Sequence, residues 1–327
     1  MFLNNSKYII SVDMGGTKIL SAAINSSEGM IARVKQSTNR KASNSEHLHS
    51  LSSIVRETIS EAKLKNEQIA AVCLGIPGSL NPHTGVVAMA PNLHIKNLKI
   101  KELLEAELNL PVIIENDVNM SALGISKFGV GKNAKDLLVV YIGTGIGAGF
   151  IFDGKLFRGA NYAAGEIGHI QVQENGPLCG CGKRGCYEAV ASRTAIVNNI
   201  LDDINSGKKS ILTKIVEKGK PVKSRALSEA VKKEDKVVKK RLDEACAVTG
   251  LVLSNITNLL NLDLIVLGGG LVEALDYYMI PRIREAFKKN VLKESAKGLR
   301  IRPTKLGEKA ALYGSIPLVE EYLGIKV

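Results

Sequence analysis

The stretch Lys7-Tyr-Ile-Ile-Ser-Val-Asp13-Met-Gly15-Gly16-Thr17-Lys18-Ile19-Leu-Ser-Ala-Ala-Ile24 reads as a buried strand, a tight glycine turn and a returning strand. The β-branched run Lys7 to Asp13 supplies the first strand, and the period-2 apolar character of Ile19 to Ile24 supplies the second. Glycines at such a turn let backbone amides approach a ligand with no side chain in the way, and they permit the positive φ that tight turns use. An acid at the strand end, Asp13, can hold Mg²⁺, while the amides of Gly15 and Gly16 and the hydroxyl of Thr17, with Lys18 next to it, suit phosphate oxygens.

The same device returns about 130 residues later. Leu137 to Ile142 is a buried strand, Gly143-Thr144-Gly145 the turn, and Ile146 to Phe152 the return strand, with Asp153-Gly154 as a hairpin signal. A third apolar strand, Leu262 to Leu267, runs into Gly268-Gly269-Gly270. Between these lie a helical stripe over Ser45 to Leu64, strands at Ile69 to Leu74 and Pro111 to Glu115, and a strongly helical region from Ala230 to Leu260. The segment carrying Pro77, Gly78, Pro82 and Pro91 reads as a loop. No G-x-x-x-x-G-K-[ST] run is present, so the turns are not a P-loop. The G-x-G-x-x-G match at Gly180 to Gly185 follows no strand and is set aside.

With 327 residues, 45% hydrophobic and 23% charged, the chain has the balance of a globular protein of two domains. Lys plus Arg exceed Asp plus Glu by 44 to 32, a net charge of +12, which would suit a polyanion. The charge is spread over helix-like stretches such as Val231 to Arg241, and aromatic residues at 4% offer no stacking platform for bases, so a solvated basic face is expected and nucleic acid is not. Neither uncharged run, Leu137 to Phe152 or Ala245 to Leu262, suits a membrane span, and the N-terminus lacks the basic and apolar regions of a secretory signal. A cytoplasmic protein with no membrane partner is the expectation.

Three of five cysteines fall within Cys179-Gly-Cys181-Gly-Lys-Arg-Gly-Cys186-Tyr-Glu188, and His169 lies upstream in Gly165-Glu166-Ile-Gly-His169. One imidazole and three thiolates form a closed Cys₃His set of the kind that holds structural Zn²⁺, with no open position for a catalytic water. A disulfide framework does not suit a cytosolic address, and a zinc ribbon would need a second C-x-x-C pair, since Cys73 and Cys246 are remote.

The turns Asp13-Met-Gly-Gly-Thr-Lys18, Gly143-Thr-Gly-Ile-Gly147 and Leu267-Gly-Gly-Gly270 together resemble those of the actin-like, hexokinase-like ATPase superfamily. Gly165-Glu-Ile-Gly-His169 followed by the Cys179 to Glu188 run resembles the signature of the ROK family, which groups repressors, open reading frames and sugar kinases. The resemblance covers nearly the whole chain. It implies an α/β protein of two actin-like, ribonuclease H-like domains with a cleft between them, in which sugar and ATP meet. The expected division is a small domain over residues 1–120, completed by a last helix within 309–327, and a large domain over 121–308 that carries the zinc loop.

The resemblance further implies an ATP-dependent hexose or N-acetylhexosamine kinase using Mg²⁺, with zinc ordering the sugar pocket and a homodimer as the usual assembly. Gly143, Thr144 and Gly145 would clasp phosphate opposite the first turn, and Gly268, Gly269 and Gly270 would underlie the adenosine. Asp117, in Ile113-Ile-Glu-Asn-Asp117, is the expected catalytic base; its bland alternative is a helix N-cap. Sugar contacts carry over to Asn92, Asn116, Asp117, Glu166, His169 and Glu188, with the backbone near Gly78. His169 would face zinc with one nitrogen and the sugar with the other. Leu93-His94-Ile95 follows Pro91-Asn92 where many glucokinases of the family carry an aromatic. Glucose is the first expected acceptor, followed by N-acetylglucosamine and N-acetylmannosamine. Family repressors carry a helix-turn-helix domain before the first turn; the 12 residues preceding Asp13 are too few for one, so the alternative is a sugar-sensing regulator without turnover.

Overall fold

In the computed structural model, which describes residues 7–327, the opening stretch forms β1 (Tyr8–Met14) and β2 (Lys18–Asn25). They pair antiparallel in register Asp13 to Leu20, and Gly15 N–H closes the turn on Lys18 O at 2.9 Å. Next come β3 (Gly29–Ser37), α1 (Asn44–Glu61), β4 (Ile69–Ile76), β5 (Ser79–Asn81), β6 (Val86–Ala90), β7 (Ile95–Leu98), α2 (Ile100–Leu108), β8 (Val112–Asn116) and α3 (Asp117–Phe128). The chain continues through β9 (Leu137–Ile142), β10 (Ile146–Phe152), β11 (Lys155–Phe157), α4 (Tyr187–Ala191), α5 (Arg193–Asn205), α6 (Thr213–Glu217), α7 (Ser224–Lys232) and α8 (Lys236–Leu260). It ends with β12 (Leu264–Gly268), α9 (Gly270–Asn290), β13 (Arg300–Pro303) and α10 (Ala310–Leu323).

Two compact units emerge. The first takes in the described residues up to Asn133, with Gly149–Ala164 and Glu308–Val327; the second takes in Ala134–Ala148 and Gly165–Gly307. Residues 121–133 and 149–164, expected in the large domain, group with the first unit. One physical reason is the crossing of α3 and α10. A Cβ on Gly124 would overlap the Ala310 carbonyl and one on Gly314 the Met120 carbonyl, so these helices meet backbone to backbone.

The first unit is built on a sheet of order β3-β2-β1-β4-β8, with β4 and β8 parallel to β1. Alternation along β1 sorts its side chains to two faces. Ile10, Val12 and Met14 pack with Leu51, Ile54 and Val55 of α1, whereas Ile9 packs with Ile316 and Val319 of α10. Both faces are covered, which explains why β1 and β4 read as near-continuous apolar runs. The residues read as a loop around Pro82 contain a small antiparallel sheet, β5-β6-β7. Strands of three to five residues with prolines at their borders leave too little periodicity to be seen in the sequence.

In the second unit β12 pairs parallel with both β9 and β13. The helical region Ala230 to Leu260 is broken after α7, where Asp235 accepts from Val237 N and Val238 N and so caps α8. Among the described residues no helix is long and apolar enough to cross a membrane.

Candidate functional site

At the first turn, Asp13 is the penultimate residue of β1 and Thr17 is exposed. Neither Gly15 nor Gly16 has positive φ, nor do Gly143 and Gly145; of the three glycine turns only the third uses that conformation, at Gly269 with φ 88°. In the first two, glycine serves open access and close approach.

The turn is braced by residues that sequence reasoning missed. Thr38 Oγ1 donates to Gly15 O at 2.7 Å, and Arg40 Nε donates to Gly16 O. Glu308 ion-pairs with Lys18 and Arg33, which holds the Glu308 carboxyl well down, at about 2. Lys18 therefore stands at the turn as one half of an ion pair. Thr38, Arg40 and Glu308 lie in segments with no motif of their own, so nothing in the sequence points to them.

Asp117 opens α3, but it is not the helix cap. Asn116 fills that role, its Oδ1 accepting from Val118 N at 2.9 Å and Asn119 N at 3.2 Å. The structure thus assigns the bland reading of Asp117 to its neighbour. Asn116 also donates from Nδ2 to Gly78 O at 3.3 Å, bringing together two of the expected sugar residues. Asn92 lies exposed in a short 3₁₀ turn, Pro91–Leu93, tied down by buried Leu93 and by His47 Nε2, 2.9 Å from Leu93 O.

Behind Asn116 sits a carboxylate in an apolar strand, a signal that a cation must be near. Glu115 is buried and receives Arg158 Nε at 2.6 Å, Asn116 N at 2.9 Å and Asn119 Nδ2 at 3.0 Å. Arg158 reaches on to Glu321 of α10 at 2.6 Å. This network fixes the strand end from which Asp117 projects.

Asp13 and Asp117 are both held above the ordinary carboxylate range. Burial, then the charge of Asp117, pushes Asp13 up to about 7, with Lys18 opposing; burial pushes Asp117 up to about 6, partly offset by the Val118 N–H. Two carboxylates sharing one partly buried region resist simultaneous ionisation. The sign of the linkage follows. Raised folded-state values stabilise the fold fully below the unfolded pKa near 4, and that contribution is lost as pH rises through about 6 to 7. Asp13→Asn and Asp117→Asn are therefore expected to raise the melting temperature at pH 8 by about 2–4 °C in solution free of nucleotide, sugar and Mg²⁺. The gain should vanish at pH 4; an equal gain at both pH values would contradict the coupling.

In the second unit, His169, Cys179, Cys181 and Cys186 place their ligand atoms within 4.8 Å of one another. Cys179 Sγ lies 3.6 Å from His169 Nδ1 and Cys181 Sγ 3.7 Å from Cys186 Sγ. Metal–sulfur bonds of about 2.3 Å in a tetrahedron put sulfurs about 3.8 Å apart, so the donor set fits zinc. Gly182 and Gly185, at φ 87° and 71°, turn the loop; Cys179 N–H bonds Lys183 O at 2.8 Å. Tyr187, wholly buried with its hydroxyl 3.0 Å from Thr249 Oγ1, anchors the loop's exit. His169 Nε2 faces Glu166 Oε2 at 3.7 Å. Glu188, expected at the sugar, accepts from Ile146 N at 2.7 Å with its Oε2. The third turn runs into the N-terminus of α9, whose first amides have no helical partner.

A family model described as the ROK family matches residues 9–322. The chain belongs to the ROK family. It is 31% identical to the glucokinase of Halalkalibacterium halodurans over 318 residues, 97% of this chain and 96% of that one. It is similar to the xylose repressor of Caldicellulosiruptor bescii, 29% identical over 272 residues, 83% of this chain and 68% of the repressor. Among solved structures, the ROK family glucokinase from Streptomyces griseus in complex with glucose and AMPPNP is 28% identical with a TM-score of 0.82, covering 96% of this chain and 99% of that one. The fold is the two-domain, actin-like α/β fold of ROK proteins.

Proposed function

We propose that this ROK protein is an ATP-dependent kinase that phosphorylates the 6-hydroxyl of a hexose, glucose first. The observation that carries the reading is Asp117: a partly buried carboxylate at the start of α3, where Asn116 is the cap and Asp117 takes only the Val118 N–H with one oxygen, raised by burial to about 6. At pH 7 such a group is mostly ionised, yet it is a stronger base than an ordinary carboxylate. It accepts the sugar hydroxyl proton as the oxygen–phosphorus bond forms, because phosphoryl transfer is loose and positioning dominates.

In the first unit, the amides of Gly15 and Gly16, with Thr17 and Lys18, hold phosphate oxygens, and Asn92, Asn116 and the Gly78 backbone hold sugar hydroxyls. In the second, Gly143, Thr144 and Gly145 hold phosphate, Gly268, Gly269 and Gly270 lie under the adenosine, and Glu166, His169 and Glu188 hold sugar hydroxyls. Carboxylates, amides and imidazole suit hydroxyls that both donate and accept. Asp13 is the residue that would hold Mg²⁺, which supplies charge neutralisation at the phosphates. The Cys₃His set would hold a structural Zn²⁺ that keeps Glu166 and His169 in place.

The likeness to the H. halodurans and S. griseus glucokinases supports glucose as the acceptor. Likeness to a xylose repressor supports a second reading, a sugar sensor without turnover. Product analysis decides between them: phosphorus NMR after incubation with Mg-ATP and glucose is expected to show a phosphomonoester at the 6-position. Sugar binding with no phosphorylated product, across hexoses and N-acetylhexosamines, would favour the sensor.

A further inference from the structure

We infer that the segment Cys186–Thr194 makes the metal loop a positioning element for the second glycine turn, with Glu188 as the positioning residue that carries the coupling. The inference rests on the kinase reading, because it makes the turn's hold on a nucleotide phosphate depend on the segment that leaves the Cys₃His set.

The segment begins at a metal-ligand candidate and ends on the turn. Cys186 leads directly into α4, whose first residue, Tyr187, is pinned by burial and by Thr249. One residue later, Glu188 Oε2 accepts from Ile146 N at 2.7 Å, a bond to the amide of the first residue after the turn. Gly145 permits this approach, since a Cβ there would overlap Glu188 Oε2. Ser192 N–H then returns to Glu188 O at 3.1 Å, and Ser192 Oγ caps α5.

From that cap the next two residues reach the turn again. Arg193 N donates to Gly143 O at 2.9 Å and Arg193 Nη2 to Thr144 Oγ1 at 2.8 Å; Thr194 Oγ1 donates to Thr144 O at 2.7 Å. Every residue from Gly143 to Ile146 is thus touched by one short stretch of chain. A turn held this way from behind is ordered before a phosphate arrives, and the ligand need not bear the ordering cost. Glu188 therefore has a structural task at the nucleotide turn, separate from any contact with sugar.

The test is calorimetric binding of Mg-ADP, without sugar, to the zinc-loaded full-length protein, paired with hydrogen exchange of peptides spanning Gly143 to Ile146. Glu188→Ala is expected to weaken ADP binding about tenfold or more and to speed exchange of the Ile146 amide. Glu188→Gln, whose amide oxygen still accepts from Ile146 N–H, should stay within about threefold of wild type. Wild-type ADP affinity and exchange in Glu188→Ala, whatever happens to the sugar KM, would overturn the inference. Should Glu188→Ala fail to fold or to retain zinc, Thr194→Val carries the test: it removes one bond to Thr144 O, and unchanged ADP affinity and exchange would overturn the coupling. A wild-type protein that binds no ADP would instead overturn the kinase reading, and the inference with it, before any variant is compared.

Discussion

Asp117→Asn is expected to lower kcat by about 10³-fold or more while sugar affinity stays within about threefold of wild type. The substitution is isosteric, so it keeps the side chain's volume and a hydrogen-bonding oxygen, but it removes the acceptor for the sugar proton. Asn116 continues to cap α3 through its bonds to Val118 and Asn119, and the variant's side-chain amide oxygen at position 117 can still accept the Val118 N–H that Asp117 Oδ1 takes at 3.0 Å, so the helix start is expected to persist. The variant should also be slightly more stable than wild type at pH 8, because burial disfavours the ionised carboxyl. Lost activity in a stable, sugar-binding protein separates a chemical defect from a folding one. Retained turnover would remove Asp117 as the base.

Cys181→Ala is the second large effect. Cys181 is the exposed thiol of the set, whereas Cys179 and Cys186 are buried, so its removal deletes a ligand with the least disturbance to packing. Metal analysis should find about one zinc per chain in wild type and substantially less in the variant, with the sugar KM rising about 10- to 100-fold. Glu166 directly precedes the short 3₁₀ turn Ile167–His169, and a displaced imidazole takes its neighbour with it. Fully active wild-type protein free of zinc would contradict the scaffold role.

Much of this was legible in the chain. The glycine turns stood out because each follows a buried strand, and the Cys₃His set stood out because thiols so close together need a reason. What could not be read was everything that braces those features from far along the sequence. Glu308 holds Lys18 from 290 residues away and Arg158 holds Glu115 from 43, distances over which no periodicity operates. Glu115 carried a partial signal, a carboxylate in an apolar strand, but not the identity of its cation. The division of labour between Asn116 and Asp117 was also hidden, since both residues suit an N-cap and only the backbone direction at the end of β8 decides. Glu188 was expected at the sugar on family resemblance alone; its bond to Ile146 depends on Gly145 leaving room, which spacing does not disclose.

The most direct test of the central claim is coupled ADP release from Mg-ATP, measured with glucose, N-acetylglucosamine, N-acetylmannosamine, mannose, fructose and allose, with Asp117→Asn as the blank. ADP release is expected to depend on sugar, to be highest with glucose and to be lost in the variant. Zinc-loaded protein that binds sugar yet releases no ADP with any of them, or releases it equally from wild type and variant, would contradict the claim.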